Sequence, residues 1–128
     1  MTTTREFTTF QEMVGMFALN NPHGLICDWW RRLNRSMDYF VVAYHGKPCQ
    51  TAFESVEVLA RHSRIPPNVV LRLHKLRRFR NRIEHGPTAT ISAPEAEEYA
   101  WEMLELIGVI TNAVPDSLAI ESGAAGVV

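Results

Sequence analysis

Apolar residues recur at helical intervals along most of the chain, and no segment sustains the period-two alternation of a strand. Phe10, Met13, Val14 and Phe17 follow the i, i+3, i+4, i+7 rule. Thr9 followed three residues later by Glu12 has the form of a capping box, so a first helix is predicted from Thr9 to about Asn20–Asn21. Pro22 suits the first turn of a second helix, with Asn20 or Asn21 as its cap. Ile26, Trp30, Leu33, Met37, Phe40 and Tyr44 then repeat at alternating steps of four and three, a seam of coiled-coil type widened by Trp29 and Val41. Gly46 and Pro48 stop it.

Thr51 with Glu54 signals a third helix, carrying Ala52, Phe53, Val56, Leu59 and Ala60, which Pro66 and Pro67 interrupt. A fourth runs from about Pro67 to Gly86–Pro87 on the stripe Val69, Leu73, Leu76, Phe79 and Ile83. Ser92 with Glu95 opens a fifth, with Pro94 in its first turn and Ala96, Tyr99, Ala100, Met103, Leu104, Ile107 and Ile110 as its stripe, ending at Pro115. The expected architecture is an all-α up-and-down bundle of four to five helices. One domain covers residues 1–114, and residues 115–128 form a flexible C-terminal tail. Trp30, Leu33, Phe40, Leu73, Leu76, Phe79 and Ile107 are the expected core.

At 128 residues and 46% apolar content the chain is a single domain with enough apolar side chain for one core. No run of apolar residues is long enough to span a bilayer, and the start MTTTREFTTF lacks the layout of a secretory signal, so no membrane association and a cytoplasmic location are expected. Cys27 and Cys49 are too few for a disulfide framework or a four-thiolate zinc site. They read as small core residues. The five histidines show neither HxxxH nor HExxH spacing, so no metal and no cofactor are expected.

The formal net charge of −1 conceals a segregation. Residues 31–82 hold twelve of the thirteen basic residues and three acids, whereas residues 83–128 hold eight acids and no Lys or Arg. Two outcomes are open. The blocks pair with each other as the helices pack, or they leave a basic face suited to a polyanion or an acidic partner.

The fourth helix concentrates the polar chemistry: His74, Lys75, Arg77, Arg78, Arg80, Asn81, Arg82, Glu84 and His85. At about 100° per residue, His74, Arg78, Asn81 and His85 share one face, with Arg77 beside Asn81. Arg80 falls at the border of the apolar stripe, where a neighbouring helix or a second subunit would meet it.

Arg80-Asn81-x-x-x-His85 resembles the signature of the HEPN superfamily, an Arg followed closely by a polar residue and, within the same helix, by a His. The motif lies late in a helix of an all-α domain. It is followed by a Gly, a short loop and the Ser-capped segment SAPEAEEYAWEMLELI, which is similar to the segment after the motif in many HEPN proteins. The resemblance covers residues 20–113 by topology and is most specific over residues 76–107. It implies a helical homodimer whose two motifs meet in one cleft. It further implies a metal-independent endoribonuclease, in many members a toxin or an antiviral defence effector, and in others an inactive binding module. By that resemblance Arg80 and His85 are catalytic, Asn81 supports them, and an antitoxin such as a nucleotidyltransferase-like protein is an expected partner. His74, Lys75, Arg77, Arg78 and Arg82 are the expected RNA-binding residues.

The chemistry suits that set. An RNA 2′-OH attacking the adjacent phosphate needs a base, an acid for the leaving 5′-oxygen, and positive charge on the phosphorane. Histidine titrates near neutrality, and arginine offers a planar, permanently charged fork to phosphate oxygens. The plain structural alternative is an Arg80–Glu84 surface pair at i, i+4 and a His85 that caps the helix end.

Overall fold

The computed structural model describes residues 2–85 and 91–114, with residues 2–9 and His85 described by backbone alone. Five helices follow one another: α1 (Thr2–Asn20), α2 (Pro22–His45), α3 (Ala52–Ala60), α4 (Pro67–His85) and α5 (Ala93–Ala113). No strand occurs among the described residues, so the protein is an all-α bundle. No described helix is long and apolar enough to cross a membrane. The proposed tail, residues 115–128, lies outside the described residues.

The helix ends follow the local chemistry. Asn21 caps α2, its Oδ1 accepting from the Gly24 amide at 2.9 Å, with Pro22 in the first turn where its missing N–H leaves nothing unpaired. Gly46 closes α2 in the left-handed conformation (φ 85°), and its N–H reaches the Val42 carbonyl. The Thr51 and Ser92 hydroxyls accept from the amides of Glu54 and Glu95, each at 3.2 Å.

The longest helix, α2, makes its broadest contact with α5; α1 lies across both, and α3 packs on α2 and α4. The α2 seam enters the core: Ile26, Trp29, Trp30, Leu33, Met37, Phe40 and Val41 are buried, and Tyr44 is half-buried against them. Opposite them sit Ala96, Ala100, Met103, Leu106 and Ile110 of α5 and Val69, Leu73, Leu76 and Ile83 of α4. Phe79 and Ile107 are partly buried against this core. Because the aromatic seam is consumed within one chain, it offers no face to a second subunit.

Two expectations about α1 fail. The helix begins at Thr2, well before the Thr9–Glu12 pair. Neither Gly nor Pro separates residues 2–9 from the periodic run, so nothing breaks the helix at Thr9. Of its four stripe residues, Val14 is buried and Phe10 packs edge-on against Trp29 and Trp101, with centroids at 6.0 and 5.7 Å. Met13 and Phe17 point outward, and Ala18 takes the core position instead. In α5, Leu106 is fully buried although the expected stripe passed over it. In α3, Phe53 is half exposed and Ser55 is buried, its hydroxyl returning to the Thr51 carbonyl at 3.3 Å.

Candidate functional site

α4 carries the motif on its last two turns. Its buried positions Val69, Leu73, Leu76 and Ile83 define the side turned to the bundle. Advancing 100° per residue, Arg80 falls within the arc those residues span. A cation therefore occupies a core-side position at the end of the helix. Its side chain keeps 30% exposure, and its guanidinium reaches two neighbours. One nitrogen donates to Glu84 Oε1 at 2.8 Å, and another approaches Asn81 Oδ1 at 3.5 Å. Arg80 Nε is buried without a partner among the described residues, as is Asn34 Oδ1 on α2. Buried polar atoms are nearly always satisfied in folded proteins, so such a donor calls for a partner, whether water or a bound group.

His85 is the last residue of α4, five positions after Arg80. Its side chain and the loop 86–90 lie outside the described residues. Asn81 is half-buried, and its carbonyl faces the Arg80 fork.

The other expected RNA-binding residues divide into two groups. His74 is turned into the α3–α4 seam with only 15% of its side chain exposed. Its Nε2 lies 2.9 Å from Glu57 Oε1, and its ring packs against Phe53. Arg77 Nε donates to His74 Nδ1 at 3.4 Å, and its guanidinium lies over Phe53 at 5.2 Å. These two side chains bind α3 to α4, an engagement invisible in the helical wheel because Glu57 and Phe53 lie on another helix. Lys75, Arg78 and Arg82 are exposed, with Arg82 over the Phe79 ring at 5.7 Å. Phe53, in the first turn of α3, already reaches Arg77. Little of α3 is left to cover the α4 turns that follow, where Arg78, Asn81 and Arg82 sit.

The two charge blocks do meet, at Arg72. Its guanidinium reaches Glu102 at 3.2 Å and Glu105 at 3.0 Å, joining α4 to α5. The bond to Glu105 is the main reason that Arg72 is held even more firmly protonated than usual. Farther along the same seam Phe79 stacks on Tyr99, 3.8 Å between centroids and 12° from parallel. Burial above all pushes the Tyr99 hydroxyl upward from its ordinary value, so it holds its proton at neutral pH.

No group of three or more His, Cys, Asp or Glu side chains able to hold a metal occurs among the described residues. Comparison with protein-family models, with curated proteins and with solved structures finds no match. What the site can do therefore rests on its own residues and on the resemblance of its motif.

Proposed function

We propose that this chain is a HEPN-type, metal-independent endoribonuclease that works as a homodimer, with the α4 motifs of two copies forming one cleft. The observation that carries the reading is Arg80. It is a cation at a core-side position of α4, held by Asn81 and Glu84, with a buried Nε that has no partner among the described residues. A permanently charged fork, fixed at the end of a helix beside exposed Arg78 and Arg82, suits a phosphate group.

In the proposed reaction the RNA 2′-oxygen bonds to phosphorus and the bond from phosphorus to the 5′-oxygen breaks. A neutral His85 takes the hydroxyl proton, and a protonated His85 of the second copy gives one to the leaving oxygen. Arg80 neutralises the phosphorane, and Asn81 orients Arg80. The products are a 2′,3′-cyclic phosphate and a free 5′-hydroxyl. One motif supplies one histidine, so two proton transfers call for two copies. Within the same reading, the cellular role is that of a toxin or antiviral effector restrained by an antitoxin of nucleotidyltransferase type.

One observation favours a second reading. The Glu84 carboxylate already engages the Arg80 fork at 2.8 Å, the arrangement of a helix-surface pair. In that reading the domain is a non-catalytic binding module that holds nucleic acid or an acidic protein through Lys75, Arg78 and Arg82.

A cleavage assay on purified protein with EDTA present separates the two. The enzyme reading expects cleavage by the wild type, loss by at least a hundredfold in His85→Ala and Arg80→Ala, and a smaller loss in Asn81→Ala. Arg78→Ala should weaken RNA binding and flatten its salt dependence, because it removes a phosphate contact and not a reacting group. Equal cleavage by wild type and His85→Ala refutes the assignment. RNA binding without cleavage establishes the module.

A further inference from the structure

At the far end of the bundle from the α4 motif, the ends of α2 and α3 bring two histidines together. His45 is the last residue of α2, and His62 follows α3 by two residues. Their Nε2 atoms lie 3.1 Å apart, with ring centroids at 5.3 Å. His62 is fixed between aromatic rings, edge-on to Phe40 at 5.1 Å and tilted against Tyr44 at 4.4 Å. Tyr44 is itself tied down by its hydroxyl, which donates to the Ala113 carbonyl at 3.2 Å. His45 is exposed and lines an open groove of about 570 Å³ with Val41, Lys47, Cys49, Gln50 and Glu54. One imidazole is thus anchored, and the other stands at the edge of a solvent-filled groove.

From this we propose that His45 and His62 form a bidentate site for a divalent late first-row metal ion, Zn²⁺ or Cu²⁺, that clips the end of α2 to the end of α3. The separation of the nitrogens is the argument. Two imidazole nitrogens each about 2.0–2.1 Å from one metal ion stand 3.1 Å apart when the angle between them is roughly 95–100°. That lies between the square-planar and tetrahedral values. Without metal, the same separation accommodates one N–H···N hydrogen bond. On binding, each ring carries its proton on Nδ1, both Nε2 lone pairs turn to the ion, and two of its waters leave. A modest rotation of the exposed His45 ring, with a smaller one of His62, converges the lone pairs. Imidazole is a preferred ligand of both ions, and Cu²⁺ binds more tightly than Zn²⁺ at a given nitrogen site. The remaining positions open onto the groove and hold water.

The proposal is independent of the ribonuclease reading. His62 precedes α4, whereas Arg80 lies thirteen residues into it, roughly 20 Å along the axis at 1.5 Å per residue. Titration calorimetry with zinc chloride on the full chain, after EDTA treatment and desalting, tests it. One ion per chain is expected, with affinity lowered at least tenfold in His45→Gln and in His62→Gln and unchanged in His23→Gln. Circular dichroism checks that each variant is folded. His45→Gln, at an exposed helix end, keeps the test decisive should His62→Gln unfold. With Cu²⁺, the electron paramagnetic resonance spectrum should show two coupled imidazole nitrogens in the wild type and one in either variant. Absence of binding at 100 µM zinc, or binding that survives His45→Gln unchanged, overturns the site.

Discussion

Among single residues, Asp38 shows how position converts an ordinary side chain into a costly one. Asp38 is half-buried on α2, and desolvation raises its carboxyl above the ordinary value. The native state then binds the proton more readily than the unfolded chain does. Stability contributed by this group falls as pH rises through and beyond the ordinary carboxylate range. Asp38→Asn should therefore be more stable than wild type in urea at pH 7.5, and the advantage should shrink at pH 4.5. An advantage equal at both pH values would show that the carboxyl charge is not the cause. Arg80 is a different case, its guanidinium donating to Glu84 and approaching Asn81 while its Nε is buried. Counting along α4 places Arg80 at the border of the apolar stripe, and its side chain, 30% exposed, lies on the core side of that border. The His74 and Arg77 contacts were beyond the same method, since their partners Glu57 and Phe53 are fixed only when α3 docks. His45 and His62 are seventeen positions apart on different elements, a separation no ligand-spacing rule covers.

At the scale of elements, legibility depended on how each helix is enclosed. α2 is surrounded, its apolar arc is wide, and every expected seam residue except half-buried Tyr44 is fully in the core. The starts of α2, α3, α4 and α5 follow Asn, Thr and Ser caps and Pro67, and Gly46 ends α2, all chemically explicit signals; α3 instead ends at Ala60 on Arg61, short of the Pro66–Pro67 pair expected to stop it. Among the described side chains of α1 only Val14 and Ala18 are buried, so a pattern with four apolar residues has more of them than this contact uses. Leu106 was missed in α5 for a related reason. That helix meets α1, α2 and α4 together, and its buried arc is broader than one stripe. The difference between enclosed and superficial aromatics is measurable. Phe40→Ala should cost about 3–5 kcal/mol, read from chemical denaturation. Phe53→Ala, at a half-exposed position where Arg77 and His74 lean on the ring, should cost less than half as much. Comparable losses would mean that α3 depends on Phe53 as a core residue.

For the molecule as a whole, the proposed cleft requires two copies, and the structure limits where they can meet. The aromatic seam of α2 is spent internally. Exposed surfaces among the described residues include the end of α4 with Arg78 and Arg82, the outward side of α1 with Met13, Met16, Phe17 and Leu19, and single apolar residues such as Tyr39, Val42 and Leu71. Light scattering at micromolar concentration should give twice the 14.6 kDa chain mass. If Arg80→Ala lowers that mass and Met16→Lys leaves it unchanged, the α4 end is the joint; the reverse would place the second copy on α1 and keep the two motifs apart.

The outward side of α1 also decides how the protein ages. Met13 and Met16 each present 63% of their surface to solvent, whereas Met37 and Met103 are sealed in the core. Thioethers react with peroxide according to access, and each sulfoxide replaces an apolar contact with a strong dipole. Brief hydrogen peroxide treatment followed by peptide mass mapping should find oxygen added at Met13 and Met16 while Met37 and Met103 stay intact. The first chemical damage would therefore leave the core packed and make this exposed apolar side of α1 more hydrophilic.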